Sequence, residues 1–513
     1  MKRLFIGVLA ILLWASTLDA QQPLPEEAIY KIKREAFQLS QIETIVFQLT
    51  DFSGPRLAAS KLCERAEIIA RDKLTEMGLT NARIEKAADF SRGGWDNLKT
   101  YAAMTEPYYC NFMATAKAWS GSTDGLIQSE VVVLNINTAE DLEKYDGKLG
   151  GKIILMPETQ GYVMQFTPFA SRQTDERLEL LATDPRPQSA RQVVRQPTNR
   201  VSFDLQQGIR NLLSKDKPAV IISGGGSFNV PRSLSVAYRG GDPEPIAEVV
   251  LPVEAHGRMI RMLNQKIPVS MEVEVKNEFY DNKIINNIYA EIPGNDPKLK
   301  DEIVLIGGHF DSWHGGTGAA DNASGCAVMM EAMRIIQATG VKPRRTIRIA
   351  LWGGEEQGLI GSQGYMRDFL YDGDANKPRK GYEQFALYLN MDNGSGKFRG
   401  IYLEENDMAF PYFKVWNKAL ETLDFGVLSP RKTGGTDHLS FDRIGLPAFQ
   451  FIQDDLEYGR GYHTPMDTYE RLIMADLQYN AAIIACLALS AAMDNGKISP
   501  KPLPANFSLQ QRR

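Results

Sequence analysis

In the C-terminal half of this 513-residue sequence, histidine and acidic residues recur just after short apolar runs of the kind that form strands. The first run ends in Gly308-His309-Phe310-Asp311-Ser312, the second in Gly353-Gly354-Glu355-Glu356 and the third in Asn390-Met391-Asp392-Asn393. The helix after the first run opens on Asp321-Asn322-Ala323-Ser324-Gly325, and the last run leads through an acidic loop to Gly461-Tyr462-His463-Thr464-Pro465-Met466-Asp467. With only five histidines in the chain, two at such points are informative. Imidazole nitrogen plus carboxylate oxygen suits a borderline divalent ion such as zinc. His309, Asp321, Glu356, Asp392 and His463 are too many ligands for one tetrahedral site that keeps a position open, and two metal ions resolve the count. With Asp321 as the bridge, each ion receives one histidine, one terminal carboxylate and one shared oxygen, leaving room for a water between ions about 3.5–4 Å apart. Glu355 stands beside a ligand without being needed as one, so it is the group to take that water's proton and pass it to a leaving amine.

Such residues converge only if a scaffold brings them to one edge. After Asn287 the rhythm is strand, loop, helix: 303–306 then 321–339, 346–351 then 359–369, 386–391 then 410–423, 448–452 then 474–493. That alternation argues for an α/β sheet with helices on both faces, whose ligands gather outside the carboxyl ends of the strands. Further back the pattern differs. Residues 21–124 read as mainly helical, with apolar residues recurring at three and four from Ile42 to Leu49 and from Leu62 to Leu74. Residues 125–283 carry short β-like runs punctuated by glycine clusters and read as a β-rich unit of their own. Inside it, residues 171–217 are polar and basic, with a helical stretch near 203–213, and read as an exposed excursion, a long solvated loop rather than a binding arm.

Composition sets outer bounds. The chain is 43% hydrophobic and 24% charged, an ordinary globular balance. Lys2 and Arg3 followed by an apolar run from Leu4 to Ala15 read as an export signal cleaved after Ala20, which implies a secreted or periplasmic protein. That run is too short for a permanent span, and no later segment reads as long and apolar enough for one. Removing Lys2, Arg3 and Asp19 takes the formal charge from −5 to −6, with no long basic block, so nucleic acid is excluded as the expected partner. Cys63, Cys110, Cys326 and Cys486 form no CxxC pair; the last two read as buried thiols, while a Cys63–Cys110 bridge is open in an oxidising compartment.

The run from Asn287 to Phe369, with Asp392 and Tyr462-His463, resembles the co-catalytic zinc exopeptidase family, which includes bacterial leucyl-type aminopeptidases, carboxypeptidase Q and glutamate carboxypeptidase. His-x-Asp-Ser, Asp-Asn-Ala-Ser-Gly, Gly-Glu-Glu-x-Gly, Asp and His stand in the family's order. Taken singly each has a bland reading, since a histidine can close a strand structurally and an Asp-Asn can cap a helix; jointly they are specific. The resemblance implies a mixed central sheet over about 284–505 and two Zn2+ per chain, one held by His309, Asp321 and Asp392, the other by Asp321, Glu356 and His463. It implies that Asp311 orients His309, that Tyr462 donates to the developing oxyanion, and that the Asp321-Asn322 peptide is cis. The 125–283 unit resembles the protease-associated domain that many relatives carry inserted, and some relatives are homodimers.

The implied activity is hydrolysis of peptide bonds at chain ends, as an aminopeptidase or dipeptidase, through a hydroxide bridging the metals with Glu355 as base. Alternatives are carboxypeptidase polarity and a glutaminyl cyclase-like acyl transfer on a single zinc. A non-catalytic receptor-type protein is the third reading, but such proteins lose ligands and this sequence keeps all five. For polarity, Asp454, Asp455 and Glu457 offer partners for a free amine while Arg460 offers one for a carboxylate, a slight tilt toward amino termini. His438 is balanced between a structural role and substrate contact, His314 leans structural, and His256 reads as surface.

Overall fold

The computed structural model describes residues 23–157, 161–184, 203–504 and 507–509, so the expected leader at 1–20 lies outside the described residues. Val304, Leu305 and Ile306 form an unbroken apolar run, the pattern of a strand covered on both faces. That strand, Ile303–His309, lies inside an eight-stranded sheet whose order is Thr80–Asp89, Ile284–Ile292, Thr346–Trp352, Ile303–His309, Phe385–Asn390, Ala448–Gln453, Phe398–Tyr402 and Val427–Ser429. The four central strands are parallel, and antiparallel neighbours flank them on each side. The sheet is therefore mixed, as expected. Helices Glu26–Gln38, Ile42–Leu49, Ser324–Thr339 and Met474–Met493 cover one face, and residues of Ile360–Tyr365 and His438–Asp442 pack on the other.

Register decides which side chains meet. His309 pairs with Trp352, so Gly353-Gly354-Glu355-Glu356 turns away directly beside it. Gly307 pairs with Asn390, which brings Asp392 level with His309 on the other side. Gly308 permits this crowding: a Cβ there would stand 2.5 Å from the Met391 carbonyl oxygen.

A second eight-stranded sheet contains Gly94–Glu106, Ser270–Tyr280, Ile127–Val133, Ile153–Leu155, Val220–Gly224 and Glu248–Leu251 in that order, with short strands Cys110–Asn111 and Thr115–Ala116 at its edges. The chain leaves the first sheet and returns at adjacent points, because Asp89 pairs with Ile284 and Gly94 pairs with Tyr280. This corrects the sequence boundary. The helical character of 21–124 ends with helix Lys61–Glu76, and the second sheet takes its first strand from Gly94 rather than from 125. The cause is long-range pairing: Gly94–Glu106 carries polar residues such as Asn97, Lys99 and Thr100 that weaken a local strand signal, and Ser270–Tyr280 supplies its ladder.

The excursion is also corrected. Residues 171–184 are not a solvated loop but dock on the first sheet, where Leu178 and Leu181 of helix Asp175–Thr183 bury against Tyr402 and Ile452. Ser171 and Leu456 exchange backbone hydrogen bonds of 3.2 and 2.8 Å, and Arg172 reaches Asp454 at 2.6 Å and Asp476 at 2.9 Å. Helix Phe203–Asp216 returns to the second sheet through Leu205, Leu212 and Leu213. Residues 185–202 lie outside the described residues.

One smaller expectation fails, and one open point is answered. Helix Met474–Met493 is long and apolar enough to cross a membrane, contrary to the reading that no later segment is, yet it is a core helix here, 78% buried. All four cysteines are free: Cys63 is buried beside Glu67 while Cys110 faces Arg258, so no Cys63–Cys110 bridge forms.

Candidate metal centre

Asp321 is the geometric centre of the site. Its Oδ1 lies 3.1 Å from His309 Nε2 and its Oδ2 lies 3.1 Å from His463 Nε2. Asp392 Oδ1 stands 3.6 Å from His309 Nε2, and Glu356 Oε1 stands 3.0 Å from His463 Nε2. Two donor triads result, His309, Asp321 and Asp392, and Asp321, Glu356 and His463, each with its donor atoms within 4.8 Å of one another. All five sequence-chosen ligands are thus brought together, and Asp321 belongs to both triads. Asp321 does not open a regular helix; it sits in a kinked turn, Ala319–Ala323, whose Asp321-Asn322 peptide is cis as the resemblance implied, and the helix begins at Ser324.

The donors fit a pair of divalent cations. Glu356 Oε1 is buried without a hydrogen-bond partner while its Oε2 accepts the Trp313 indole N–H at 2.8 Å, so one oxygen is anchored and the other presented. His309 Nδ1 donates to the Asp311 carbonyl at 3.0 Å, which keeps the proton on Nδ1 and leaves Nε2 for a metal. Burial acts against a charged His309, but Asp392 and Asp321 outweigh it and hold its pKa well above the imidazole range. Burial and the neighbouring Asp321 push the Glu356 carboxyl up to about 7. Burial likewise pushes Glu355 well above its usual range; the His309 imidazole opposes this, and Asp392, Asp437 and Glu356 add to it. Buried anions in this excess over cations are what two metal ions neutralise.

Asp311 is the residue that accepts from His309, as the resemblance implied, but the accepting atom is in its main chain. Its carboxylate is 3.8 Å from His309 Nδ1, and the orienting acceptor is its main-chain oxygen. The carboxylate also accepts the Glu355 amide at 3.0 Å and the Glu356 amide at 3.3 Å, pinning the turn that carries these two glutamates. Tyr462 is at the site, its ring 4.6 Å from that of His463, stacked on Tyr458 and covered by the Arg232 guanidinium at 4.5 Å.

The remaining histidines lie outside the two donor triads. His314 is buried edge-on to Trp95, with Nε2 2.6 Å from the Ala116 carbonyl, and burial lowers its pKa to about 4. His438 is fully buried, 3.6 Å from Glu404. His256, read as surface, is buried at 1% exposure with Nε2 2.9 Å from the Met156 carbonyl, because it lies on the inner face of helix Val253–Asn264.

Sequence reasoning missed two supports. Asp467 accepts the amides of Ala320 at 2.6 Å and Asp321 at 3.1 Å, fixing the turn that carries Asp321. Arg56, fully buried, donates to the carbonyls of Phe310, Thr317 and Gly318, bracing the loop between His309 and Asp321, and to Leu49. Asp467 was legible as the end of the His463 motif; a lone arginine some 250 residues upstream of its partners gave no signal.

Fold and site together define a metal-dependent hydrolase. Residues 287–488 match the sequence profile of Peptidase family M28. Mouse carboxypeptidase Q is 26% identical over 451 residues, covering 86% of this chain and 84% of the relative. A peptidase M28 precursor from Shewanella amazonensis, known by crystal structure, aligns with a TM-score of 0.65 at 25% identity, covering 93% of this chain and 98% of that one. A zinc aminopeptidase from Bacillus subtilis shares the fold, with a TM-score of 0.53 at 18% identity over 89% of this chain and 98% of that one. The likeness to Peptidase family M28 is carried by residues 287–488, the stretch that holds the four parallel strands.

Proposed function

We propose that the chain is an exported zinc exopeptidase that hydrolyses the terminal peptide bond of short peptides. The observation that carries this is Asp321, whose two oxygens face two different histidines at equal distance. Zinc is the metal suggested by the imidazole and carboxylate donors, and relatives are named carboxypeptidase Q and zinc aminopeptidase. When bound, the two cations supply Lewis acidity, lowering the pKa of a shared water and neutralising charge on the carbonyl oxygen. His309 and Asp392 would hold one cation, Glu356 and His463 the other, and Asp321 would serve both. Glu355 accepts the proton of the attacking water and returns it to the leaving amine, with its backbone fixed by Asp311. Tyr462 is assigned to donate to the oxyanion from beside His463.

The second sheet is read as an insertion of the protease-associated type whose contribution here is to wall the site, since the Ser233 amide donates to the His463 carbonyl at 2.7 Å. Export follows from the Lys2-Arg3 start and the apolar run after it. The test is a panel of unblocked, N-acetylated and C-terminally amidated dipeptides, together with an N-terminal glutaminyl substrate, offered to zinc-loaded protein. Release of free amino acids supports the reading. Cyclisation of the glutaminyl substrate without hydrolysis would replace it with acyl transfer.

A further inference from the structure

The loop between strand Ile303–His309 and the turn Ala319–Ala323 touches the metal centre on one side and the second sheet on the other. Trp313 and His314 make these two contacts. The Trp313 indole N–H donates to Glu356 Oε2 at 2.8 Å, its ring lies 5.8 Å from that of His463, and the side chain packs against the core of the second sheet. His314 Nε2 donates to the Ala116 carbonyl at 2.6 Å, and its ring meets Trp95 edge-on at 5.1 Å. Both partners of His314 belong to the second sheet. The loop then passes between that unit and the His463 motif with no side chain to spare. A Cβ on Gly315 would stand 2.4 Å from Ser233 Oγ, and one on Gly316 would stand 2.7 Å from the Thr464 carbonyl oxygen.

The two donor triads differ in what braces them. Around His309 and Asp392 the supports come from the first sheet and its turns: Asp311 accepts from His309 at 3.0 Å, Gln450 donates to the Asp392 carbonyl at 2.7 Å, and Asn322 donates to the Met391 carbonyl at 2.8 Å. The other triad leans outward. Asp311 fixes the Glu356 amide, but the Glu356 side chain is held by Trp313, and the His463 carbonyl accepts the Ser233 amide of the second unit at 2.7 Å. His463 has a φ of 59°, a left-handed backbone that residues other than glycine keep only where neighbours fix it. One half of the centre is thus braced from within the first sheet and the other through the second unit.

We propose that Trp313 is a positioning residue through which the second unit sets the Glu356 and His463 half of the metal centre. His314 locks the loop to the second sheet, and Trp313 carries that position to the Glu356 carboxylate. The inference rests on the two-cation reading of the site and adds that one cation depends on the second unit while the other does not.

The experiment titrates metal-free wild type, Trp313→Phe, His314→Phe and the double variant with zinc against a competing chelator, using Glu356→Ala and Asp392→Ala to assign the two binding steps. Trp313→Phe keeps an aromatic ring and removes the N–H. It is expected to weaken the step that Glu356→Ala weakens by about 10–100-fold, and to leave the Asp392 step and the melting temperature of the metal-free protein unchanged. His314→Phe keeps a ring against Trp95 and loses the donor to Ala116, so it weakens the same step by a smaller factor. The double variant loses little more than Trp313→Phe alone, because the two side chains act along one path. In wild type, the Trp313 indole N–H resonance, identified by its absence from Trp313→Phe, is expected to shift with that same step.

An unchanged Glu356 step in Trp313→Phe, equal losses at both steps, or wild-type zinc affinity in His314→Phe overturns the proposal. An indole resonance indifferent to zinc does so too, even where His314→Phe is too unstable to titrate. A wild type that binds a single ion contradicts the two-cation reading instead. Trp313→Phe then decides this inference on that one ion, which it either weakens, as proposed, or leaves unchanged, which overturns it.

Discussion

Asp467 accepts the backbone amide of Asp321 at 3.1 Å, so the residue that ends the His463 motif positions the residue that joins the two halves of the site. The same carboxylate takes the Ala320 amide at 2.6 Å. Burial first, and then repulsion from Asp321, pushes its pKa up to about 7, so its interaction with the turn depends on being surrounded by donors. Asp467→Ala is expected to leave both amides unpaired and to weaken metal binding about 10–100-fold. Competition against a chelator of known affinity measures this; an unchanged zinc affinity would remove the positioning role.

Glu355→Gln keeps the size of the side chain and removes only its ability to take a proton. Both metals are expected to stay bound, while kcat falls by about 10² to 10⁴ with KM little changed. Near-normal turnover at full metal occupancy would take the role of general base away from this residue.

Glu67 lies outside the donor set and gives the fold its own pH response. It is buried in helix Lys61–Glu76, accepts from Asn286 at 2.9 Å, and burial together with repulsion from Glu64 raises its pKa from 4.5 to about 7. A carboxyl whose folded pKa is raised binds its proton more tightly in the folded state. Its contribution is therefore fully present below about pH 4.5 and is lost as pH rises to about 7. Glu67→Gln imitates the protonated form at every pH. Its melting temperature should match wild type near pH 4 and exceed it at pH 8, by a difference on the order of 2–3 kcal/mol in stability. A constant offset across that range would refute the assignment.

How legible all this was in the sequence depended on whether the signal was local. The three parallel strands that lead to His309, to Glu355 and Glu356, and to Asp392 are apolar runs closed by glycine or asparagine, and both chemistry and fold could be read from them. The strand Gly94–Glu106 was hidden because its partner Ser270–Tyr280 lies about 170 residues downstream and polar residues break up its own apolar pattern. The docking of residues 171–184 was hidden for the same reason: Leu178 and Leu181 stand in a short, largely polar stretch, and only the surface offered by Tyr402 and Ile452 makes them core. Arg56 acts on backbone carbonyls, which every residue possesses, so nothing in its partners' identities could point back to it.

The central claim is that Asp321 serves two metal ions at once, and metal stoichiometry tests it most directly. Wild-type protein, loaded with zinc and then dialysed, should retain two ions per chain; Asp392→Ala and Glu356→Ala should each weaken one of them, and Asp321→Ala should weaken both together. One ion per chain in the wild type, or an Asp321→Ala variant that still binds two with undiminished affinity, would contradict the shared-carboxylate account.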